Sequence, residues 1–360
     1  HQGPAEQGKD SYASWDATGA FVWAYAGPLK KLYITGKRPS VAPQISHDVA
    51  QSLIEDGRGW FNIDRNSAYD KMTDEELLKR LGSWSPVVRE RAAMAVARRK
   101  EAPVAGVVGL LSSPSLYARY GACQAVAHLR GRAAAAVEPL IEATKDSDFW
   151  LRIKAAEALS NIGGPAVKAA PYLLTLLGKE DKVNDPRGMQ QRYLINALFS
   201  GSGLLARSLD GVDKAEIQKA VMLGLANQDG AARGTIGSVY NKLTLEELKP
   251  LWPSIIDAVK TSAPSGEMFA DGVRLEGLKV MAKHGIEEGM PLCIDYLISQ
   301  NGWASQLRTP EIMKIVLMYK ANAKAIIPEL TKVAEEFERG GPHQGFPKNL
   351  SLEKAKSVRD

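Results

Sequence analysis

The sequence predicts an all-α protein, built as an α-solenoid of about seven helix pairs. The first observation is a near-regular recurrence of arginine, and the second is a set of apolar residues at helical spacing after each one. Hydrophobic residues make up 45% and charged residues 24% of the 360 positions, a composition that excludes wholesale disorder. The recurring arginines, 30 to 41 residues apart, are Arg89, Arg119, Arg152, Arg192, Arg233 and Arg274.

The first helix of each pair is predicted around its arginine. Apolar and mostly small side chains stand three, four and seven residues after Arg89, Arg119 and Arg152, which places them on one face of a helix. Small side chains on that face allow a neighbouring helix to approach closely. Four residues before an arginine stands a residue that can cap a helix, and these residues are Ser85, Ser115, Asp148 and Asp229.

The second helix of each pair is predicted after a glycine break. Pro139 and Pro171 open two of these helices, and others are expected over 251–260, 291–299 and 328–337. A last first helix is expected over 309–319, with Thr309 as its N-cap and Pro310 behind the cap. The segments beginning at Thr73 and Thr244 have the pattern of capping boxes.

Three regions follow from this pattern: an aromatic-rich helical N-terminal segment (1–70), a repeat solenoid (71–340) and a C-terminal tail (341–360). Nine of the 25 Phe, Trp and Tyr residues fall within the first 70 positions. Such a dense aromatic cluster needs a partner surface to bury it. We therefore expect residues 1–70 either to fold back on the rest of the chain or to be the edge of a preceding domain.

The segment 148–163 carries a family resemblance. It reads Asp-Phe-Trp-Leu-Arg-Ile-Lys-Ala-Ala-Glu-Ala-Leu-Ser-Asn-Ile-Gly, with an acidic cap, an arginine, paired alanines and a closing glycine. This pattern resembles the HEAT repeat of the short bacterial, phycobilisome-lyase-like type, most closely over 84–178. The resemblance implies a right-handed superhelix of antiparallel helix pairs that binds other macromolecules along its concave face.

A second resemblance covers the front of the chain. Residues 12–20 and 28–37 are similar to a junction in large exported bacterial proteins, in which an α/α-toroid domain precedes HEAT repeats. This resemblance implies that residues 1–40 are the last helices of a toroid. It also implies a periplasmic or exported location.

The composition argues against several kinds of chemistry. Two cysteines and five scattered histidines leave little material for a metal site, and we expect no metal and no cofactor. The longest apolar runs are far shorter than the ~20 residues that span a bilayer. No nucleophile-elbow, zinc-protease or phosphate-loop motif is present, so we expect no catalysis. The surface residues that remain as weak candidates are Trp15, Asp16, His47 and Asp48.

The repeated arginines could bind phosphate, but their recurrence at one structural position favours a structural role. Each guanidinium is expected to bond a cap carboxylate or a carbonyl of an adjacent repeat. Residues 71–160 contain 14 basic and 10 acidic residues, against a net charge of +5 for the whole chain. This excess is small for a nucleic-acid binder, so a nucleic-acid partner is not expected.

The function predicted from these observations is a non-catalytic scaffold that binds a protein partner on the concave face. Two alternatives stay open. One is an accessory segment of a larger exported enzyme that acts on polysaccharide. The other is a nucleic-acid-binding protein, because residues 148–152 resemble a motif of the alkylpurine DNA glycosylases, which are also built from HEAT-like repeats.

Overall fold

In a computed structural model of the chain, the described residues are 67–179, 181–183, 185–261, 270–299, 305–341 and 348–360. Within them all regular secondary structure is helical, which confirms the predicted all-α, solenoid-like class. These residues fall into two compact units, divided between Ala169 and Ala170. The predicted N-terminal segment lies outside the described residues up to position 66. The same holds for the candidates Trp15, Asp16, His47 and Asp48.

The first unit consists of short helices joined by tight turns. In chain order they are α1 (Ser67–Asp70), α2 (Asp74–Leu81), α3 (Pro86–Arg98), α4 (Val104–Leu110), α5 (Leu116–Leu129), α6 (Val137–Ala143) and α7 (Phe149–Ile162). Two 3₁₀ segments, Arg130–Ala136 and Gly164–Ala169, follow α5 and α7. The helices α3, α5 and α7 each contain a repeat arginine and are called first helices below.

The first helices begin where the capping residues predict. Ser85 accepts a hydrogen bond from the backbone amide of Val88, at 3.4 Å between Oγ and N. Asp148 accepts one from Leu151, at 2.8 Å between Oδ1 and N. Each cap satisfies an amide that has no partner inside its own helix.

Small side chains allow the first helices of this unit to stack. Ala92, Ala122 and Ala155 are fully buried, and each stands three residues after its arginine. Gly121 likewise allows α5 to approach α2, because a Cβ built on it would lie only 2.0 Å from the carbonyl oxygen of Leu81. The close packing of helices in this unit therefore depends on alanine and glycine residues.

The second unit also consists of helices alone in its described residues. They are α8 (Ala170–Leu177), α9 (Met189–Phe199), α10 (Lys214–Ala226), α11 (Gly230–Gly237), α12 (Leu245–Leu248), α13 (Trp252–Lys260), α14 (Ala270–Lys283), α15 (Gly289–Ser299), α16 (Ser305–Met318), α17 (Ile327–Glu338) and α18 (Lys348–Arg359), with 3₁₀ segments at Tyr240–Lys242, Lys249–Leu251 and Lys320–Ile326. The predicted second helices correspond to α13, α15 and α17. Leu278, Ile312 and Phe337 lie in a shared apolar core of α14 to α18.

The predicted start of α16 is wrong. Thr309 is not its N-cap, because the helix begins at Ser305 and Pro310 lies inside it. Thr309 is 1% exposed and begins a buried stripe that continues with Ile312 and Val316. That spacing of three and seven residues is the spacing that follows each repeat arginine. Thr309 thus occupies the arginine position of its helix.

The C-terminal segment contains a helix where the sequence analysis expected a tail. In α18, Ser351, Lys354, Ala355 and Val358 are buried, again at the spacing of a first helix. The Ser351 hydroxyl donates to the backbone carbonyl of Phe337, which ends the preceding apolar face. Gly, Pro and charged residues make up half of positions 341–360, so the apolar periodicity of this segment is sparse.

Candidate interaction surface

The repeat arginines of the first unit lie close to the turns that precede their helices. Arg89 Nη1 donates to the carbonyls of Ser83 and Trp84, at 2.7 and 2.8 Å. Arg152 Nη1 donates to those of Asp146 and Ser147, at 2.9 and 3.0 Å. These carbonyls belong to the arginine's own repeat, which differs from the expected bond to an adjacent repeat. The reason is that helical side chains lean towards the N-terminus, so an arginine in the first turn reaches back to its own loop.

Contacts to the neighbouring repeat are present as well. Arg119 Nη2 lies 3.6 Å from Oδ2 of Asp146, in the loop before the next first helix. In the second unit, Arg192 Nη1 lies 3.0 Å from Oδ2 of Asp229. Asp229 also caps α11, since its Oδ1 accepts from the amide of Ala231 at 2.9 Å.

The two remaining arginines differ in their contacts. Arg233 donates from Nε to the carbonyl of Asn227 at 2.7 Å and from Nη1 to that of Thr261 at 3.1 Å. Burial lowers the pKa of its guanidinium. Arg274 stacks over the Tyr296 ring, 5.3 Å from the ring centre. Several of these arginines are partly buried against backbone or aromatic rings. These contacts support a structural role for the arginine position, which stays a prediction.

Further basic side chains of the first unit are held by carbonyl and carboxylate oxygens. Arg98 donates to Oδ1 of Asp70 at 2.6 and 2.8 Å. Arg132 donates to the carbonyls of Ala97 and Arg99, at 2.9 and 2.7 Å, at the C-terminal end of α3. A cation there also complements the negative end of the helix dipole.

The outward sides of α3, α5 and α7 form one surface, which we call the first-helix face. It carries an open cleft of about 310 Å³ in the first unit, lined by Glu90, Gln124, His128, Arg130, Lys154 and Glu157 among others. The cleft is polar, and no Phe, Tyr or Trp side chain lines it. Sequence analysis missed it, because none of these residues forms a recognisable motif.

Glu90 is the most tightly held acid in the cleft. Its Oε1 lies 2.6 Å from Nε2 of His128, and its Oε2 accepts from Nε2 of Gln124 at 2.9 Å. Burial raises the pKa of Glu90, but hydrogen bonds from His128 and Gln124 and the positive charge of Lys154 outweigh burial and lower it overall. The Glu90 side chain is therefore a satisfied carboxylate at neutral pH.

Three other charged residues line the cleft, and one of them, Lys154, is the cation whose charge helps to lower the pKa of Glu90. The side chains of Lys154, Arg130 and Glu157 make no hydrogen bond or ion pair with the residues described in this structure. Two of the three are cations. The cleft thus presents an ammonium, a guanidinium and a carboxylate to whatever approaches it.

Arg130 has an unusual backbone conformation. Its φ is 55° and its ψ is −137°, a region that side-chain-bearing residues rarely adopt. Gly163, the residue that ends α7 at the corresponding place, has φ 75° and ψ −130°. The chain therefore uses arginine where the next repeat uses glycine, and accepts backbone strain of about 1–3 kcal/mol for it.

Two exposed aromatic side chains lie at matching places on the first-helix face. Tyr117 is 47% exposed and Trp150 is 46% exposed, and each stands two residues before a repeat arginine. The Arg89 guanidinium lies 5.6 Å from the centre of the Tyr117 ring, and Trp150 packs edge-on against Phe149. These rings are held in place and still face solvent.

Two residues of the segment 148–152, which resembles the alkylpurine DNA glycosylase motif, have structural partners. Asp148 caps α7, and its Oδ1 also accepts from the hydroxyl of Tyr120 at 2.7 Å. The Arg152 guanidinium lies 5.8 Å from the centre of the Phe149 ring and donates to loop carbonyls. Both side chains are thus engaged in holding the start of a repeat helix.

Within the described ranges, no group of three or more His, Cys, Asp or Glu side chains could hold a metal ion. Cys123 and Cys293 are free and buried, and burial raises the pKa of each thiol to about 12. No helix in the part of the chain that the structure describes is long and apolar enough to span a membrane.

Comparison with known proteins identifies one region. The family described as HEAT repeats matches residues 104–185, which contain α4 to α8. Residues 104–185 are accordingly a HEAT repeat region, as the resemblance of 148–163 predicts. No catalytic family matches, and HEAT repeats are commonly non-catalytic interaction scaffolds. No curated protein matches the chain.

Proposed function

We propose that this chain is a non-catalytic scaffold that binds a protein partner on an exposed face of its helical repeats. The observation that carries the proposal is the pairing of Tyr117 and Trp150 at equivalent positions of successive first helices, beside an open cleft. Tyr and Trp are among the residue types most enriched at the centres of protein interfaces. The HEAT repeat match over 104–185 supports the same function class.

The placement of basic side chains supports a protein partner over a nucleic acid. Arg98 and Arg132 already bond carboxylate or carbonyl oxygens, as do the repeat arginines Arg89 and Arg152. Nucleic-acid affinity grows with the number of phosphates that free cations neutralise. These four arginines are therefore already engaged within the described residues of the first unit.

The finer parts of the prediction remain proposals. The sequence of 148–163 supports a HEAT repeat of the short bacterial type, and binding on the concave face follows from that resemblance. We propose the first-helix face as the first surface to test. The alternative of an accessory segment of an exported, polysaccharide-acting enzyme rests on residues 12–37, which lie outside the described residues.

The test is a comparison of partner retention by surface variants. The chain is immobilised, a partner is captured and cross-linked, and the cross-linked residues are mapped by mass spectrometry. We expect the double variant Tyr117→Ala, Trp150→Ala to retain at least about tenfold less partner, the loss typical of two interface aromatics. Tyr172→Ala, which changes an aromatic 49% exposed in the second unit, is the matched control.

Two results would contradict the proposal. One is a partner that the double variant retains as well as the unaltered chain does, with no cross-links to α3, α5 or α7. The other is the absence of any protein partner, combined with a gel shift of nucleic acid at low salt. Circular dichroism of every variant establishes that the helices are intact.

A further inference from the structure

The cleft on the first-helix face has features that the scaffold function alone does not require. Lys154, Arg130 and Glu157 line it without a hydrogen bond or ion pair to a described residue, while the Glu90 carboxylate is bonded to His128 and Gln124 and also lies near the charge of Lys154. A volume of about 310 Å³ is at the lower limit for a small-molecule pocket. The polar lining and open mouth suit one or two side chains of a partner better than an enclosed ligand.

Arg130 supplies an independent reason to assign a role to this cleft. The corresponding residue of the next repeat is Gly163, which adopts the same backbone conformation without strain. A glycine at position 130 would therefore favour folding. Arg130 lines the cleft and its side chain bonds no described residue, so the strained position carries a guanidinium that is available to a partner.

The charges decide the chemistry of the occupant. The Glu90 carboxylate bonds His128 and Gln124, so it offers little to an incoming cation. Lys154 and Arg130 can both approach a carboxylate, and the planar guanidinium can bind one through two N–H groups. Glu157 can accept from a donor beside that carboxylate, for which a backbone N–H suffices.

We propose that the cleft binds an acidic segment of a partner protein, with an Asp or Glu side chain held between Lys154 and Arg130. This inference rests on the proposed scaffold function and names the partner chemistry at one part of its surface. Tyr117 and Trp150 lie on the same face and contact the residues that flank the acidic side chain. Binding by such charge pairs weakens as salt rises, because partly exposed ion pairs are screened.

The test uses two blocked peptides, one rich in glutamate and one in which lysine replaces each glutamate. Binding to the whole chain is followed by ¹⁵N–¹H spectra and by thermophoresis at low and at physiological salt. We expect the acidic peptide to shift amide signals of α5 and α7, and the lysine peptide to leave them unchanged. The reverse preference, or no binding of either peptide, would overturn the acidic-segment proposal.

Four variants make the test specific. We expect Lys154→Glu and Arg130→Gly each to weaken acidic-peptide binding by at least about fivefold and Glu157→Lys to strengthen it. Lys168→Glu carries the same charge change as Lys154→Glu outside the cleft, and we expect less than about a twofold effect. Equal affinities for Lys154→Glu, Arg130→Gly and the unaltered chain would overturn the proposal.

Arg130→Gly carries a second readout that separates binding from folding. Because the glycine relieves the positive-φ strain, we expect the variant to melt at a higher temperature while it binds the acidic peptide less well. A purely structural arginine would lose stability instead. Failure of the peptide tests leaves the scaffold proposal standing, since that proposal is tested by partner retention on Tyr117 and Trp150.

Discussion

Oε1 of Glu90 lies 2.6 Å from Nε2 of His128, although the two residues are 38 positions apart. The contact joins the middle of one first helix to the C-terminal turn of the next. Gln124 holds the other carboxylate oxygen and accepts in turn from Nε of Arg89, at 3.3 Å. The buried Arg89 guanidinium and the exposed Glu90–His128 contact are thus linked through the Gln124 side chain.

The first prediction concerns acid stability. The pKa of Glu90 is lowered in the folded chain, because hydrogen bonding to His128 and the charge of Lys154 outweigh the effect of burial. A lowered pKa means that the stabilisation is complete above the unfolded value and is lost as pH falls through the folded value. We expect Glu90→Gln to flatten the pH dependence of the unfolding free energy below about pH 4.3.

The size of this effect is limited by solvent. The Glu90 side chain is 43% exposed, so we expect no more than about 1 kcal/mol at pH 7. Urea titrations between pH 3 and pH 7 measure it. Glu138→Gln, at an exposed ion pair with Lys168, is the control. Parallel pH curves for Glu90→Gln and the unaltered chain would refute the prediction.

The second prediction compares two glycines of the first unit. A Cβ at position 121 would lie 2.0 Å from the carbonyl oxygen of Leu81, whereas one at position 109 would meet nothing within 4 Å. We expect Gly121→Ala to destabilise the chain by about 2 kcal/mol or more. Gly109→Ala should be neutral or stabilising by up to about 1 kcal/mol, because alanine favours helix. Thermal unfolding measures both, and equal melting temperatures would contradict the assigned packing.

The third prediction concerns the arginines that bond the loop of their own repeat, such as Arg89 and Arg152, which we call loop clamps. Arg89 is 5% exposed and holds two carbonyls of its own loop, whereas Arg98 forms an exposed ion pair with Asp70. We expect Arg89→Ala to cost about 1–3 kcal/mol, since it leaves two partly buried carbonyls without a donor. Arg98→Ala should cost less than about 1 kcal/mol. Denaturant unfolding of both variants measures these losses of stability. A larger loss for Arg98→Ala than for Arg89→Ala would show that the arginine position is not structural.

The fourth prediction concerns α18. Its Ala355 and Val358 are buried, and Ser351 donates to the carbonyl of Phe337, whose side chain is 1% exposed. We expect removal of residues 348–360 to lower the unfolding free energy by about 2 kcal/mol or more, because it exposes apolar surface. Lys356→Ser, on the exposed side of α18, is the control. A deletion variant with an unchanged melting temperature would show that the helix is only a tail.

Much of the helical pattern follows from local signals. Ser85 and Asp148 cap helices because a side chain can satisfy amides only three residues ahead, and this distance is fixed in the sequence. The prediction that Thr309 caps α16 is wrong because it uses the same kind of local signal. A threonine before a proline has the local form of a cap, but the buried stripe through Ile312 and Val316 places it inside α16.

The cleft could not be predicted in the same way. Glu90 and His128 occupy different positions of their repeats, so their contact depends on the offset between two stacked helices. One signal was available in the sequence. Arg130 and Gly163 are separated by 33 residues, as are Arg119 and Arg152, and an arginine in a glycine position of a repeat is a departure that can be noticed.

The loop clamps also bear on how such a chain can lengthen. Because Arg89 and Arg152 tie the turn of their own repeat, a duplicated repeat brings both halves of its clamp with it. Only the match of its outer surfaces to the flanking helices then remains to be adjusted. Recombination within the gene can therefore add or remove units without assembling a new turn each time.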